Sequence, residues 1–119
     1  MTSPAPTDPA CLFCRIVSGE VPADLVASDE RVLAFRDVLP QAPLHVLVVP
    51  RAHHVDVGAL AVADPEALIA LVQMGSAIAA AQARGQFRLV FNSGPEAGQS
   101  VFHVHGHVLG GRSLTWPPG

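Results

Sequence analysis

The chain has 119 residues, of which 50% are hydrophobic and 14% charged, and its formal net charge is −3. These values are typical of one globular domain and exclude a disordered chain. All 7 positively charged side chains are arginines, scattered along the chain, so the sequence has no basic patch for nucleic acid or membrane headgroups. No apolar run reaches the roughly 20 residues that a transmembrane helix needs.

The first ten residues are rich in Pro, Ala and Thr and lack the charged and apolar regions of a secretory signal. We therefore expect a flexible tail over residues 1–10, one domain over residues 11–119 and a cytoplasmic location. Cys11 and Cys14 follow as a C-x-x-C pair. This spacing fits a redox pair or half of a metal site, and two small buried side chains are the alternative.

The first half of the chain predicts one short helix and three strands. The apolar segment 12–17 is expected to form one or two helical turns that end at Ser18-Gly19. The segments ADLVASD and RVLAFRDV predict two strands around a turn at Asp29-Glu30. LHVLVVP is the strongest strand candidate, and Pro50 ends it.

The second half begins with a long helix. Asp64 is the predicted N-cap and Pro65 the first helical residue, and apolar residues recur at helical spacing to about Ala83 before Gly85 ends the helix. QFRLVFN predicts a further strand, and the loop SGPEAGQS follows it. Strands, one long helix and more strands indicate an α+β fold with the helix on one face of the sheet.

The last predicted strand, FHVHGHVLGG, places histidines at alternate positions: His103, His105 and His107. Side chains alternate between the faces of a strand, so the three imidazoles share one face and the residues between them face the other way. Such a row could chelate zinc or supply a nucleophile for phosphorus. A set of surface histidines on an edge strand is the alternative.

The loop before the histidines favours phosphoryl chemistry. Gly98, Gln99 and Ser100 offer a bare backbone amide, a side-chain amide and a hydroxyl, the donors that a charged phosphorus transition state needs. An ordinary turn is the alternative reading of this loop.

The segment QSVFHVHGHVLGGR, with Asn92 before it and WPPG at the end, resembles the histidine triad (HIT) family in its Hint branch of purine nucleoside phosphoramidases. The resemblance covers residues 11–119, through CLFCRIVSGEVPA, LAFRDVLPQAPLHVLVVPRAH and GQSVFHVHGHVLGG. It implies a HIT-like fold: a five-stranded, mainly antiparallel sheet with one long helix and a short N-terminal helix, extended across a homodimer. The chain departs from the family pattern at Gly106, normally a larger apolar residue, and at Arg36, where many relatives carry His.

The resemblance implies a nucleotide-binding hydrolase. His105 would attack the α-phosphorus of a purine nucleoside 5′-phosphoramidate, and water would release the nucleoside monophosphate, such as AMP, from the nucleotidyl-histidine. His103 and His107 would support the nucleophile, and Ser100 would pass a proton to the leaving amine. No cofactor is required for this chemistry. The implied substrate-binding residues are Phe13, Ile16, Phe35, Asp37, Val38, Asn92, Gly98, Gln99, Val101 and Trp116.

The resemblance also implies a structural zinc site. Some family members, and the related galactose-1-phosphate uridylyltransferases, hold zinc with a Cys pair and two histidines, and the matching residues are Cys11, Cys14, His53 and His103. Such an ion would be accessory to catalysis. His54 is a substitute ligand or a solvent-facing residue, and His45 is interpreted as a strand residue without chemistry.

Trp116 is a large apolar side chain in an exposed ending, which favours a partner surface. In the family's homodimer it would shape the pocket for the leaving amine of the other subunit. The alternative functions are a dinucleoside polyphosphate hydrolase, against which Ser100 and the WPPG ending argue, and a nucleotide-binding or scaffolding protein with incidental hydrolysis. A zinc-dependent hydrolase and a C-x-x-C redox protein are further alternatives.

Overall fold

The computed structural model describes residues 6–119, which form one five-stranded sheet with helices on both faces. Neighbouring strands pair antiparallel in the order β1-β2-β3-β5-β4. The elements are α1 (Leu12–Val17), β1 (Leu25–Ser28), β2 (Val32–Arg36), β3 (Leu44–Pro50), α2 (Val57–Ala63), α3 (Pro65–Gln82), β4 (Phe87–Val90) and β5 (Gly106–Gly110). The predicted α+β fold with a five-stranded antiparallel sheet is confirmed, the extension of the sheet across a homodimer stays a prediction, and α2 is an additional helix that the sequence did not predict.

Aspartates fix the start of several elements. The carboxylate of Asp29 accepts hydrogen bonds from the backbone amides of Arg31 and Val32 at 2.7 and 2.8 Å, which closes the predicted β1–β2 turn. Asp64 caps α3 as predicted, with Pro65 as the first helical residue. Asp56 caps α2 in the same way, so two consecutive helices meet at Asp64.

The two faces of the sheet have different covers. On one face α3 packs Leu71 and Ile78 against sheet residues such as Val46 and Val108. On the other face α1 packs Phe13 and Cys14 against β2 and β3, in a smaller cluster with Leu33, Phe35, Leu47 and Val49. Strand β3 lies between the two layers and is buried along its whole length.

The histidine segment alternates between these faces, but less of it is strand than expected. β5 begins only at Gly106, because the backbone amide of Val104 donates a hydrogen bond to the carbonyl of His54, in the loop after β3. Val104 and Val108 still belong to the core under α3, and Gly106 lies against Leu71. The histidines therefore face the other way from these residues, as predicted, and that face is the α1 side.

Half of the predicted N-terminal tail, residues 1–5, lies outside the described residues. Within the other half, the carbonyl of Pro6 accepts a hydrogen bond from the amide of His53 at 2.7 Å, and the carbonyl of Asp8 accepts one from the amide of Cys11 at 3.0 Å. Among the helices of residues 6–119, none combines the length and the apolar character that crossing a membrane requires.

Candidate active site

A cleft of about 320 Å³ opens on the α1 side of the sheet. It lies between α1, the end of β2 and the loop that leads to the histidines. It is lined by Leu12, Phe13, Ile16, Phe35, Arg36, Asp37, Val38, Leu47, Asn92, Gly98, Ser100, Val101, His105 and His107. The structure thus brings together every predicted catalytic and substrate-binding residue except His103, Gln99 and Trp116.

His105 is held by the backbone of its own segment. Its Nδ1 lies 2.9 Å from the carbonyl oxygen of His103, so Nδ1 carries the proton and donates it to that carbonyl. Nε2 is then the nitrogen with the free electron pair. The edge of Phe13 packs against the ring, with 5.0 Å between ring centroids, and restricts its orientation. A buried imidazole fixed in this tautomer is suited to nucleophilic attack.

His107 belongs to a chain of hydrogen bonds that starts at the backbone of Gln41. The amide of Gln41 donates to Nδ1 of His45 at 3.0 Å, so His45 carries its proton on Nε2. This Nε2 lies 2.9 Å from Nδ1 of His107 and 3.4 Å from the Asp37 carboxylate. His107 therefore accepts at Nδ1 and presents an Nε2–H donor, the group that a phosphate oxygen requires.

Burial keeps the imidazoles of His45 and His107 uncharged at neutral pH. Burial, together with the neighbouring His105 and His45, lowers the pKa of His107 to about 4, against the opposing effect of the Asp37 carboxylate. Burial also lowers the pKa of His45, against the opposing effect of the Asp37 carboxylate. His45 was interpreted as a strand residue without chemistry; it lies in strand β3 as expected, and its side chain also contacts both Asp37 and His107. The sequence signal for it is a single polar residue inside the buried strand LHVLVVP.

Gln99 has a different role from the predicted one. Its side-chain oxygen accepts a hydrogen bond from the amide of Gly94, and its side-chain nitrogen donates to the carbonyls of Val55 and Val101. The side chain is 4% exposed and does not line the cleft. It therefore stabilises the loop, whereas Ser100, the next residue, is exposed at the cleft wall.

His103 points away from the cleft, into a cluster with Cys11, Cys14 and His53. Nδ1 of His103 lies 3.4 Å from Sγ of Cys11 and 3.5 Å from Sγ of Cys14, and Nδ1 of His53 lies 3.5 Å from Sγ of Cys14. The four potential ligand atoms lie within 4.8 Å of one another. This donor set and its size fit a tetrahedral metal ion.

Further observations support that fit. Nε2 of His103 donates to the carbonyl of Pro50 at 2.8 Å, which leaves Nδ1 unprotonated and able to ligate. Both cysteines are free thiols. Burial raises the pKa of Cys14 and lowers the pKa of His103 to about 4, so these two side chains are uncharged unless a cation draws the proton off the Cys14 sulfur. His54 does not belong to this cluster.

The remaining predicted residues lie at the rim of the site or away from it. Val38 lines the cleft but is 91% exposed, and Arg36 lines it while pairing with Asp24 at 3.3 Å. Trp116 is 81% exposed and does not line the cleft. The segment before it is tied to β4, because the guanidinium of Arg88 donates to the carbonyl of Thr115.

Comparison with known proteins agrees with this fold. The family description "HIT domain" matches residues 18–114, and the chain belongs to the HIT family. An uncharacterized HIT-like protein of Synechococcus elongatus is 47% identical over 110 residues, which cover 91% of this chain and 96% of that protein. Adenylylsulfatase HINT1 of Arabidopsis thaliana is 39% identical over 118 residues, or 96% and 80% of the two chains.

Solved structures show the same architecture. A HIT family hydrolase from Legionella pneumophila superimposes with a TM-score of 0.87 at 44% identity, covering 92% of this chain and 99% of that one. A HIT family hydrolase from Clostridium thermocellum superimposes with a TM-score of 0.86 at 37% identity, covering 92% and 96%.

Proposed function

We propose that this protein hydrolyses the P–N bond of purine nucleoside 5′-phosphoramidates through a covalent nucleotidyl-histidine. The observation that carries the proposal is the pair of histidine tautomers in the cleft. The carbonyl of His103 holds His105 with a free electron pair on Nε2, and the hydrogen-bond chain from Gln41 gives His107 a donor beside it. A nucleophile next to a fixed donor is the arrangement that phosphoryl transfer needs.

The rest of the cleft suits a nucleoside. Phe13, Phe35 and Ile16 form an apolar wall against which a purine can stack. Asp37 also lines the cleft, and its carboxylate can accept hydrogen bonds from ribose hydroxyls. Asn92, Gly98 and Val101 line it as well, and the phosphate would bind near them, beside His105 and His107.

The reaction proceeds in two balanced steps. Nε2 of His105 forms a bond to phosphorus, the P–N bond breaks, and its electron pair leaves with the amine nitrogen. That nitrogen takes a proton from the hydroxyl of Ser100, because an unprotonated amine is a poor leaving group. Water then attacks phosphorus, returns a proton to Ser100 and displaces His105, whose Nε2 regains its electron pair. The products are the nucleoside monophosphate and the free amine.

Steady-state hydrolysis of an adenosine phosphoramidate with a fluorescent amine tests the proposal, in wild type and His105→Ala, with and without a chelator. Turnover that is lost in His105→Ala and survives the chelator supports it. Turnover that the chelator abolishes favours a zinc-dependent hydrolase. Tight nucleotide binding without turnover favours the nucleotide-binding or scaffolding alternative, and preferential cleavage of dinucleoside polyphosphates favours the polyphosphate hydrolase.

The Arabidopsis relative supports a second candidate substrate, adenylyl sulfate, since that protein is called an adenylylsulfatase. The same attack by His105 would expel sulfate, which leaves as an anion and needs no proton. Ser100→Ala separates the two substrates: we expect a loss of about a hundredfold in kcat with the phosphoramidate and little change with adenylyl sulfate. Equal losses with both substrates would assign Ser100 to the phosphate and not to the leaving group.

We also propose that Cys11, Cys14, His53 and His103 hold a structural zinc ion. Bound zinc would cross-link α1 to the segment before β5 and would supply no catalytic group. Metal analysis of the purified protein tests this: we expect about one zinc per chain. Cys14→Ser should lower both the metal content and the melting temperature, and full zinc retention in this variant would contradict the assignment.

A homodimer is the proposed assembly, with the sheet continued from one copy to the next. Strand β4 ends the sheet beside β5, and within the described residues it pairs only with β5. In such a dimer the exposed Trp116 would reach the other subunit. Sedimentation velocity would show twice the chain mass if this is right and the mass of one chain if it is not. A cytoplasmic location stays a prediction.

A further inference from the structure

A second cleft adjoins the nucleotide cleft on the side of Ser100. Its volume is about 410 Å³, and it lies between the segment before α1, the loop after β3 and the segment before the histidines. Leu12, Ser100 and Val101 line both clefts. A ligand that passes Ser100 can therefore extend from one cleft into the other.

The walls of this second cleft are apolar and unusually exposed. Leu12, Val55 and Phe102 are 44%, 45% and 46% exposed, although side chains of this kind are normally buried. All three line the cleft together. Exposed apolar side chains gathered around one concave surface indicate a ligand site, because they gain when a ligand removes them from water.

One carboxylate lies in the second cleft. Asp8 lines this cleft and does not line the nucleotide cleft, and among the described lining residues there is no arginine; Cys11 and His53, the proposed zinc ligands, also line it. The carboxylate of Asp8 is held in place by a hydrogen bond of 2.9 Å from the amide of Ala10. A carboxylate beside apolar walls suits a ligand with an apolar body and a positive charge.

We propose that the second cleft binds the leaving amine, and that it favours amines with an apolar body and a second positive charge at the far end. The inference rests on the proposed function. Ser100 gives its proton to the leaving nitrogen, so the P–N bond must lie beside this residue. With the nucleotide on one side of Ser100, the amine falls on the other side, between Phe102 and Asp8.

The test compares kcat/KM for adenosine phosphoramidates with four amines. They are methylamine, a phenylalkylamine, and the same phenylalkylamine with a terminal ammonium or a terminal carboxylate. We expect the phenyl group to raise kcat/KM about tenfold over methylamine. We expect the ammonium to exceed the carboxylate about fivefold, because Asp8 is partly exposed and its interactions are screened.

Two variants test whether Phe102 causes the preference for the phenyl group and whether Asp8 causes the preference for the ammonium group. Phe102→Ala should abolish most of the gain from the phenyl group, and Asp8→Asn should remove the difference between ammonium and carboxylate. Each ratio is taken between substrates within one variant, so a general loss of activity does not affect it. The matched controls, Val62→Ala on exposed α2 and Glu30→Gln in the β1–β2 turn, should keep both ratios.

Three outcomes would overturn the inference. Ratios that persist in Phe102→Ala and Asp8→Asn would show that the amine lies elsewhere. A phenyl preference that is lost in Trp116→Ala and kept in Phe102→Ala would place the amine against the C-terminal segment. Absence of turnover with every substrate, methylamine included, would overturn the proposed function and this inference with it.

Discussion

At the residue scale, the backbone determines what each histidine can do. The carbonyl of Pro50 accepts a hydrogen bond from Nε2–H of His103, and the carbonyl of His103 accepts one from Nδ1–H of His105. The backbone amide of Gln41 instead donates a hydrogen bond to Nδ1 of His45. Neighbouring imidazoles of one sequence segment thus differ in which nitrogen is free. His103 presents an unprotonated Nδ1 to the cysteines, His105 presents an unprotonated Nε2 and His107 presents an Nε2–H donor, and these are the groups that the proposed zinc site and the proposed mechanism use.

His45→Asn tests the chain of hydrogen bonds behind His107. Without the donor on His45, His107 can place its proton on Nδ1 and lose the Nε2–H that faces the phosphate. We expect kcat to fall about tenfold or more while KM changes less, because the donor matters most when charge develops on phosphorus. His54→Asn, outside this chain, is the matched control. An unchanged kcat in His45→Asn would mean that the orientation of His107 is set elsewhere.

At the scale of secondary structure, local signals predicted most of the fold. The Asp64-Pro65 cap, the Asp29 turn and the apolar run LHVLVVP each fix their element through neighbouring residues, and all three predictions are confirmed. The start of β5 could not be predicted, because it depends on the hydrogen bond between Val104 and the distant His54. The contact between His45 and His107 was missed for the same reason, since the two residues are far apart in the sequence.

Most of the site residues were predicted from the resemblance to the family, and fewer from the spacing of residues along the chain. Spacing alone placed the histidines on one face, whereas the apolar wall of Phe13, Ile16 and Phe35 followed only from the resemblance. Gln99 shows the limit of both approaches. Its amide was expected to bind phosphate, but three backbone groups of the surrounding loops satisfy it.

Gly106 provides a test of packing between β5 and α3. A Cβ atom added there would lie 2.9 Å from Cδ1 of Leu89 and 3.1 Å from Cδ2 of Leu71. We expect Gly106→Leu to lower the free energy of unfolding by about 1–3 kcal/mol through overpacking, with little change in kcat, because this position faces away from the histidines. Urea denaturation measures the loss.

The double variant Gly106→Leu with Leu89→Ala is the control for this prediction. It restores part of the room that the new side chain needs, so it should recover some of the lost stability. If the double variant loses more free energy of unfolding than the two single variants lose together, overpacking is not the cause.

At the scale of the whole molecule, the larger apolar core and the candidate active site lie on opposite faces of the sheet. The face under α3 holds the larger apolar core, and the face under α1 holds the cleft and the Cys/His cluster. His103 links the two sites on that face, because its ring contacts the cysteines and its carbonyl holds His105.

The buried histidines make the stability of the molecule depend on pH. The pKa of His107 is about 4 in the folded protein, against 6.5 for an ordinary histidine, so the unfolded chain binds an additional proton between these values. Stability from this residue is fully present above about pH 6.5 and is lost as the pH falls towards 4, with a slope of up to about 1.4 kcal/mol per pH unit.

Urea denaturation at a series of pH values measures this slope. We expect His107→Gln to unfold with a shallower dependence between pH 6.5 and 4 than the wild type, because it lacks one of the groups that the unfolded chain protonates. Parallel curves for the two proteins would show that His107 takes up its proton equally in the folded and unfolded states.

In the proposed mechanism the nucleotide is bonded to His105 during turnover. We would mix the protein with an adenosine phosphoramidate, quench in denaturant within the first turnovers and measure the intact mass. The account predicts a mass increase of one adenylyl group, located on His105 by peptide sequencing and absent from His105→Ala. Rapid turnover without this adduct, or with His105→Ala still active, would contradict it.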